Sequence, residues 1–123
     1  MKRILIVDDA ATVRMYYRTI LEEAGYLVVE AVNGIEGLEK ALEDPFDLYI
    51  VDINMPKLDG YGFMKELRSM ELPQVPAMMV STEAAANDRQ RAYTAGANLY
   101  LVKPIKPDLL LHNCHLLLGE GCP

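Results

Sequence analysis

The sequence predicts an α/β domain in which a doubly wound parallel sheet of five strands alternates with five helices. Two observations carry that expectation. Short apolar runs recur at residues 4–7, 27–29, 48–51, 77–80 and 99–102 with helix-like stretches between them, which is the alternation that a parallel sheet needs for its crossovers. The chain has 123 residues, enough to close one hydrophobic core and too few for two.

Each element has its own signal. The first strand runs into Asp8-Asp9, and the helix after it places Val13, Tyr16, Tyr17, Ile20 and Leu21 on one face with Arg14, Arg18, Glu22 and Glu23 on the other. Gly25 ends that helix. The second strand leads to Asn33-Gly34, a turn that opens the second helix, and the third strand closes on Asp52 before Pro56 and Asp59-Gly60 introduce the third helix. Ser81 and Thr82 follow the fourth strand, Gly96 closes the fourth helix, and Lys103 follows the fifth strand. The last helix starts near Pro107-Asp108 and finishes by Gly119.

Composition narrows the function. With 12 basic and 18 acidic residues the net charge is -6, which argues against nucleic acid or an anionic membrane as the main partner and suits a protein that binds cations. Met1-Lys2-Arg3 is followed by only Ile4 to Val7 before Asp8, short of the apolar segment of about 7–15 residues in a signal peptide. No run approaches the roughly 20 apolar residues of a membrane span. The cysteines, Cys114 and Cys122, lie close together near the C-terminus and make no disulfide framework. These features predict a cytoplasmic protein and a single domain, residues 1–123, without an output domain. A domain cut from a longer regulator would read the same way.

In an open parallel sheet, ligands bind outside the carboxyl ends of the strands. That edge should gather Asp8, Asp9, Asp52, Ser81, Thr82 and Lys103. Carboxylates this close repel, and each raises the pKa of its neighbours. A hard cation offsets the repulsion, and Mg2+ takes carboxylate oxygens while keeping waters that a phosphate can replace. Lys103 adds a positive charge for an anion, so the set suggests phosphoryl chemistry. Taken singly, each residue also has a plain structural explanation: Asp8-Asp9 as a helix cap, Asp52 as a turn residue, Lys103 as a solvated charge.

The segments ILIVDDA, VDINMPKLDG, MMVSTEA and GANLYLVKP, in this order and spacing, resemble the receiver domain of bacterial two-component response regulators. The resemblance spans essentially the whole chain and is greatest to the single-domain chemotaxis regulators. It implies a flavodoxin-like sheet of order 2-1-3-4-5. Asp52 would then be the phosphoacceptor, taking a phosphoryl group from a phosphohistidine on a histidine kinase. Asp8, Asp9, Asp52 and the backbone carbonyl of Asn54 would hold Mg2+. Ser81 and Lys103 would bind the phosphoryl group, with Thr82 beside it and a cis peptide between Lys103 and Pro104. Asn54 and Glu83 would tune dephosphorylation, and Tyr100 would be the switch aromatic that signals to a protein target through the fourth helix, fifth strand and fifth helix. A phosphatase is a further implied partner. Such a protein is a signalling phosphoacceptor and catalyses only its own phosphoryl transfer and dephosphorylation. Thr82 and Ile105 depart from the family's usual small residue and usual aromatic at those positions; the bulk of Thr82 bears on phosphatase access and hydrolysis rate.

Other candidates compete. Tyr100 also reads as an ordinary half-buried strand tyrosine. Helix five, LLLHNCHLLL, leaves Leu109, Leu111 and Leu116 partly off a core face of Leu110, Cys114 and Leu117, either as scattered surface leucines or as a partner surface. His112, Cys114 and His115 lack a fourth ligand for a soft metal and read as an inert helix surface. Asn87 to Arg91 reads as a solvated helix face. A haloacid-dehalogenase-type acid phosphatase would need a second acid where Asn54 stands. A flavin carrier would need a Ser/Thr/Gly-rich phosphate loop where Asp8-Asp9 stands.

Overall fold

The computed structural model describes residues 1–82 and 86–119. The elements are β1 (Arg3–Val7), α1 (Ala11–Glu23), β2 (Leu27–Ala31), α2 (Gly34–Glu43), β3 (Leu48–Asp52), α3 (Gly60–Ser69), β4 (Ala77–Ser81), α4 (Ala86–Ala95), β5 (Leu99–Val102) and α5 (Pro107–Leu117). All neighbouring strands pair in parallel, in the order β2-β1-β3-β4-β5. The expected sheet is the observed one.

Both faces of the sheet are covered, and the alternation of strand side chains decides which helix each residue meets. Ile4, Ile6, Leu48, Ile50, Met78 and Val80 pack with Tyr17 and Leu21 of α1 and Leu110 and Cys114 of α5. On the other face Leu5, Val7, Tyr49, Val51 and Met79 meet Leu38 of α2, Phe63, Met64 and Leu67 of α3, and Ala92 of α4. The central strands β1, β3 and β4 are therefore nearly continuous apolar runs, with about 1.5–3 kcal/mol of stabilisation for each large aliphatic side chain removed from water.

Turn chemistry sets the helix ends. Gly25, at φ 95°, follows the last turn of α1, and the next amide, Tyr26 N–H, donates to the Leu21 carbonyl at 3.1 Å, a Schellman closure that needs the left-handed residue. Asn33 and Asp59 cap α2 and α3 by accepting from the Glu36 and Gly62 amides, each at 2.8 Å.

One expectation is corrected. Tyr16 does not join the core face of α1: it is 42% exposed, and its hydroxyl donates to the Ile105 carbonyl at 2.8 Å. Leu111 packs against the α1/α5 layer, whereas Leu109 and Leu116 are exposed. Asn87 to Arg91 is largely exposed, as expected, while Arg89 also lies over the Tyr100 ring and Arg91 over the Tyr61 ring. Glu83 and Cys122 lie outside the described residues.

Candidate functional site

The strand order reverses between β1 and β3, since the chain moves outward to β2 on one side and to β4 and β5 on the other. At such a switch point the loops leaving adjacent strands run to opposite faces and leave a crevice at the carboxyl edge. Asp8 lies immediately after β1 and Asp52 ends β3, so both stand in that crevice. Although each is a carboxylate, Asp8 is only 2% and Asp52 6% exposed; Asp9 beside them is exposed.

Asp8, Asp9 and Asp52 each offer an oxygen within 4.8 Å of the others. Lys103 reaches over from the end of β5, and its Nζ lies 3.1 Å from Asp52 Oδ1 and 3.3 Å from Asp8 Oδ2. One ammonium thus faces two buried carboxylates. Burial pushes the Asp52 carboxyl above the usual carboxylate range, with Asp8 adding to the shift and Lys103 opposing it. For Lys103, burial alone would lower the pKa, but the hydrogen bond to Asp52 and the charge of Asp8 outweigh it and hold the ammonium above its ordinary value. Tyr17, packed beneath, keeps its hydroxyl proton because burial, then Asp8 and Asp52, all disfavour a phenolate.

The helix-cap explanation of Asp8-Asp9 fails here. The N-cap of α1 is Ala10, without a side-chain cap bond, and Asp8 Oδ1 instead accepts from the Ala10 amide at 2.8 Å, which fixes its carboxylate toward Asp52. Nor is Asp52 a turn residue. It is the last residue of a fully buried strand, and the Ile53 amide donates to the Val80 carbonyl at 3.1 Å. Asn54 follows, exposed, in the loop that leads to α3.

The remaining predicted residues line the same edge. Ser81 is buried at the end of β4, and its carbonyl accepts from the Lys103 amide at 2.7 Å; Thr82 is exposed beside it. The Lys103-Pro104 peptide is cis. Tyr100 lies within β5, short of the edge, and is fully buried; the Arg89 guanidinium sits 4.9 Å from the centre of its ring and donates to its carbonyl. The soft-metal alternative on α5 does not assemble: Cys114 is buried in the core with its thiol pushed up to about 12 by desolvation, and His115 Nδ1 is hydrogen-bonded to the Tyr26 hydroxyl at 2.7 Å.

Arg14, which the sequence left on the polar face of the first helix, also reaches this edge, braced by Glu30, which the sequence reading missed. Arg14 donates to the Asp8 carbonyl at 2.7 Å, and Glu30 holds Arg14. Glu30 had a visible signal, a lone charge inside the apolar run LVVEA of β2.

The architecture and the acid cluster define a doubly wound domain with an acidic crevice that one lysine enters. The chain belongs to the response regulator receiver domain family, which matches residues 4–115, and so is a component of two-component signalling. It is 36% identical to the chemotaxis protein CheY1 of Helicobacter pylori, over 97% of this chain and 98% of that protein. The solved structure of chemotaxis protein CheY4 of Vibrio cholerae superposes with a TM-score of 0.91 at 36% identity, covering 95% of this chain and 98% of that one. The receiver domain of the sensor histidine kinase PA1611 of Pseudomonas aeruginosa PAO1, described with a magnesium ion coordinated in its active site cleft, superposes with a TM-score of 0.89 at 30% identity, over 97% and 98% of the two chains. Other curated relatives are longer, and the chain spans only 9% to 43% of their length. Among the described residues no helix is long and apolar enough to cross a membrane.

Proposed function

We propose that this chain is a phosphoacceptor that takes a phosphoryl group from a histidine kinase onto Asp52 and passes the signal to a protein target. The observation that carries this reading is the buried Asp52 carboxylate, held between Lys103 and the Asp8 and Asp9 acids. A strand end positions the nucleophile rigidly, which favours in-line attack. An Asp52 oxygen forms the new P–O bond as the P–N bond of the phosphohistidine breaks, and the imidazole leaves with the bonding electron pair and takes up a proton.

The donor set suits Mg2+, being all oxygen, anionic and mutually repelling. Asp8, Asp9, Asp52 and the Asn54 carbonyl would hold it, and when bound it neutralises charge on the transferring group. Lys103 would pair with a phosphoryl oxygen and Ser81 would hydrogen-bond another, with Thr82 beside the group, where its bulk bears on phosphatase access and hydrolysis rate. Asn54 and Glu83 would tune its hydrolysis.

For output, the phosphoryl group adds about −1.5 to −2 charge units, by analogy with other phosphorylated side chains, and draws Ser81 and Lys103 inward. Tyr100 stands in the buried position under Arg89, and phosphorylation would raise the population of that arrangement. The surface formed by α4, β5 and α5, with exposed Leu109 and Leu116, is the proposed face for the target; a phosphatase would approach past Thr82. We place the chain in the cytoplasm, as one domain acting alone or as the receiver of a longer regulator, and chemotaxis is the process its resemblance to CheY1 and CheY4 favours.

The test is phosphorylation by acetyl phosphate followed by intact mass. Wild type should gain one phosphoryl group with Mg2+ and essentially none in EDTA. Equal gain in both contradicts the metal-assisted mechanism.

A further inference from the structure

The backbone of Asp8 is held on both sides by groups that the proposed phosphoryl transfer does not use. Its N–H donates to the Ala31 carbonyl of β2 at 3.1 Å. Its C=O accepts from Arg14 Nη1 at 2.7 Å, while Arg14 Nε donates to Glu30 Oε1 at 2.8 Å. Glu30 lies on β2 opposite Ile6 of β1 and also pairs with Arg18, so the guanidinium is anchored to the sheet as well as to its helix. The Arg14 side chain is largely buried. A planar fork bonded at two points fixes a carbonyl in direction as well as distance, and the carbonyl that Arg14 grips belongs to the peptide joining Asp8 to Asp9.

We propose that Arg14, braced by Glu30, is a positioning residue that sets the aim of the Asp8 and Asp9 carboxylates at the bound cation. This inference rests on the Mg2+ reading of the site. Groups behind metal ligands commonly govern affinity in this way, and their loss costs about 10–100-fold. Arg14 touches neither metal nor phosphoryl group; it acts through the Asp8-Asp9 peptide.

The sign of the effect separates positioning from charge. Arg14 is a cation near a cation site, so by electrostatics alone its removal would tighten Mg2+ binding. If it positions the ligands, removal weakens binding. Isothermal titration of Mg2+ into the unphosphorylated protein, beside urea denaturation in EDTA, reads affinity and stability separately. Arg14→Met, which keeps the apolar stem, should weaken Mg2+ about ten-fold or more. Arg14→Lys should stay weak, because an ammonium lacks the fork, and Glu30→Gln should shift affinity the same way by less. Lys65→Ala, which removes an equal charge from an exposed position on α3, should leave Mg2+ affinity unchanged. Should Arg14→Met fail to fold, Arg14→Lys decides, because it keeps the charge and removes only the fork. Unchanged or tighter Mg2+ binding in Arg14→Met and Arg14→Lys, with only stability lowered, overturns the positioning role. A wild-type protein that binds no Mg2+ overturns the metal reading and this proposal with it.

Discussion

Lys103→Met is expected to destabilise the unphosphorylated protein by about 2–3 kcal/mol at pH 7 and low Mg2+. Removing the ammonium leaves Asp8 and Asp52 buried, adjacent and without their shared cation. Water still reaches Lys103, whose side chain is 19% exposed, so the figure stays below the roughly 3–5 kcal/mol typical of a sealed ion pair. The dependence on pH has a definite sign. Lys103 has a raised pKa in the fold, so its contribution is fully present below its unfolded value near about 10.4 and is lost as pH rises through the folded value. Asp52 also has a raised pKa; the folded state binds its proton more tightly than the unfolded chain, so stability falls as pH climbs from about 4 through the folded value. The gap between wild type and Lys103→Met should therefore be widest near neutrality. It should shrink in acid, where Asp52 takes up its proton, and again in strong alkali. Urea denaturation across pH measures it, and a gap that is the same at pH 7 and pH 3.5 contradicts the charge assignment.

Gly60→Ala is expected to cost about 2–3 kcal/mol, although alanine is normally the better helix former. Gly60 opens α3 directly against the end of β3. A Cβ there would lie 2.5 Å from the Asp52 carbonyl oxygen and 2.7 Å from Ile53 Cα, and both are backbone atoms that cannot rotate away. The Gly60 amide also donates to the Ile53 carbonyl at 2.9 Å, so the helix cannot retreat without breaking that bond. Relief requires moving the loop that carries Asn54, and phosphoryl gain from acetyl phosphate should fall together with the urea midpoint. Wild-type stability in Gly60→Ala would show that the start of α3 is not tied to the acceptor strand.

Strand positions were legible because the sheet is covered on both faces, so its strands read as short apolar runs between turn signals. The crevice followed from them: once Asp8, Asp52, Ser81 and Lys103 are assigned to strand ends, a parallel sheet brings them to one edge. What the sequence hid was interaction across distance. Tyr16 fits a helical apolar stripe as well as Tyr17 does, yet it sits at the margin of α1, where its hydroxyl finds the Ile105 carbonyl 89 residues away. Arg14 looks like a surface charge because its partners, the Asp8 carbonyl and Glu30, become neighbours only when β2 pairs with β1. Arg89 and Arg91 likewise gain their stacking partners only through packing against β5 and α3.

The central claim is that Asp52, and no other carboxylate in the crevice, accepts the phosphoryl group. Intact mass spectrometry of wild type and Asp52→Asn, each incubated with acetyl phosphate and Mg2+, tests it directly. The substitution keeps the shape of the side chain and removes its nucleophilic charge, so Asp8, Asp9 and Lys103 remain to bind cation and anion. Wild type should gain one phosphoryl group and Asp52→Asn none. Equal gain in the variant would contradict the assignment and move the acceptor to another residue.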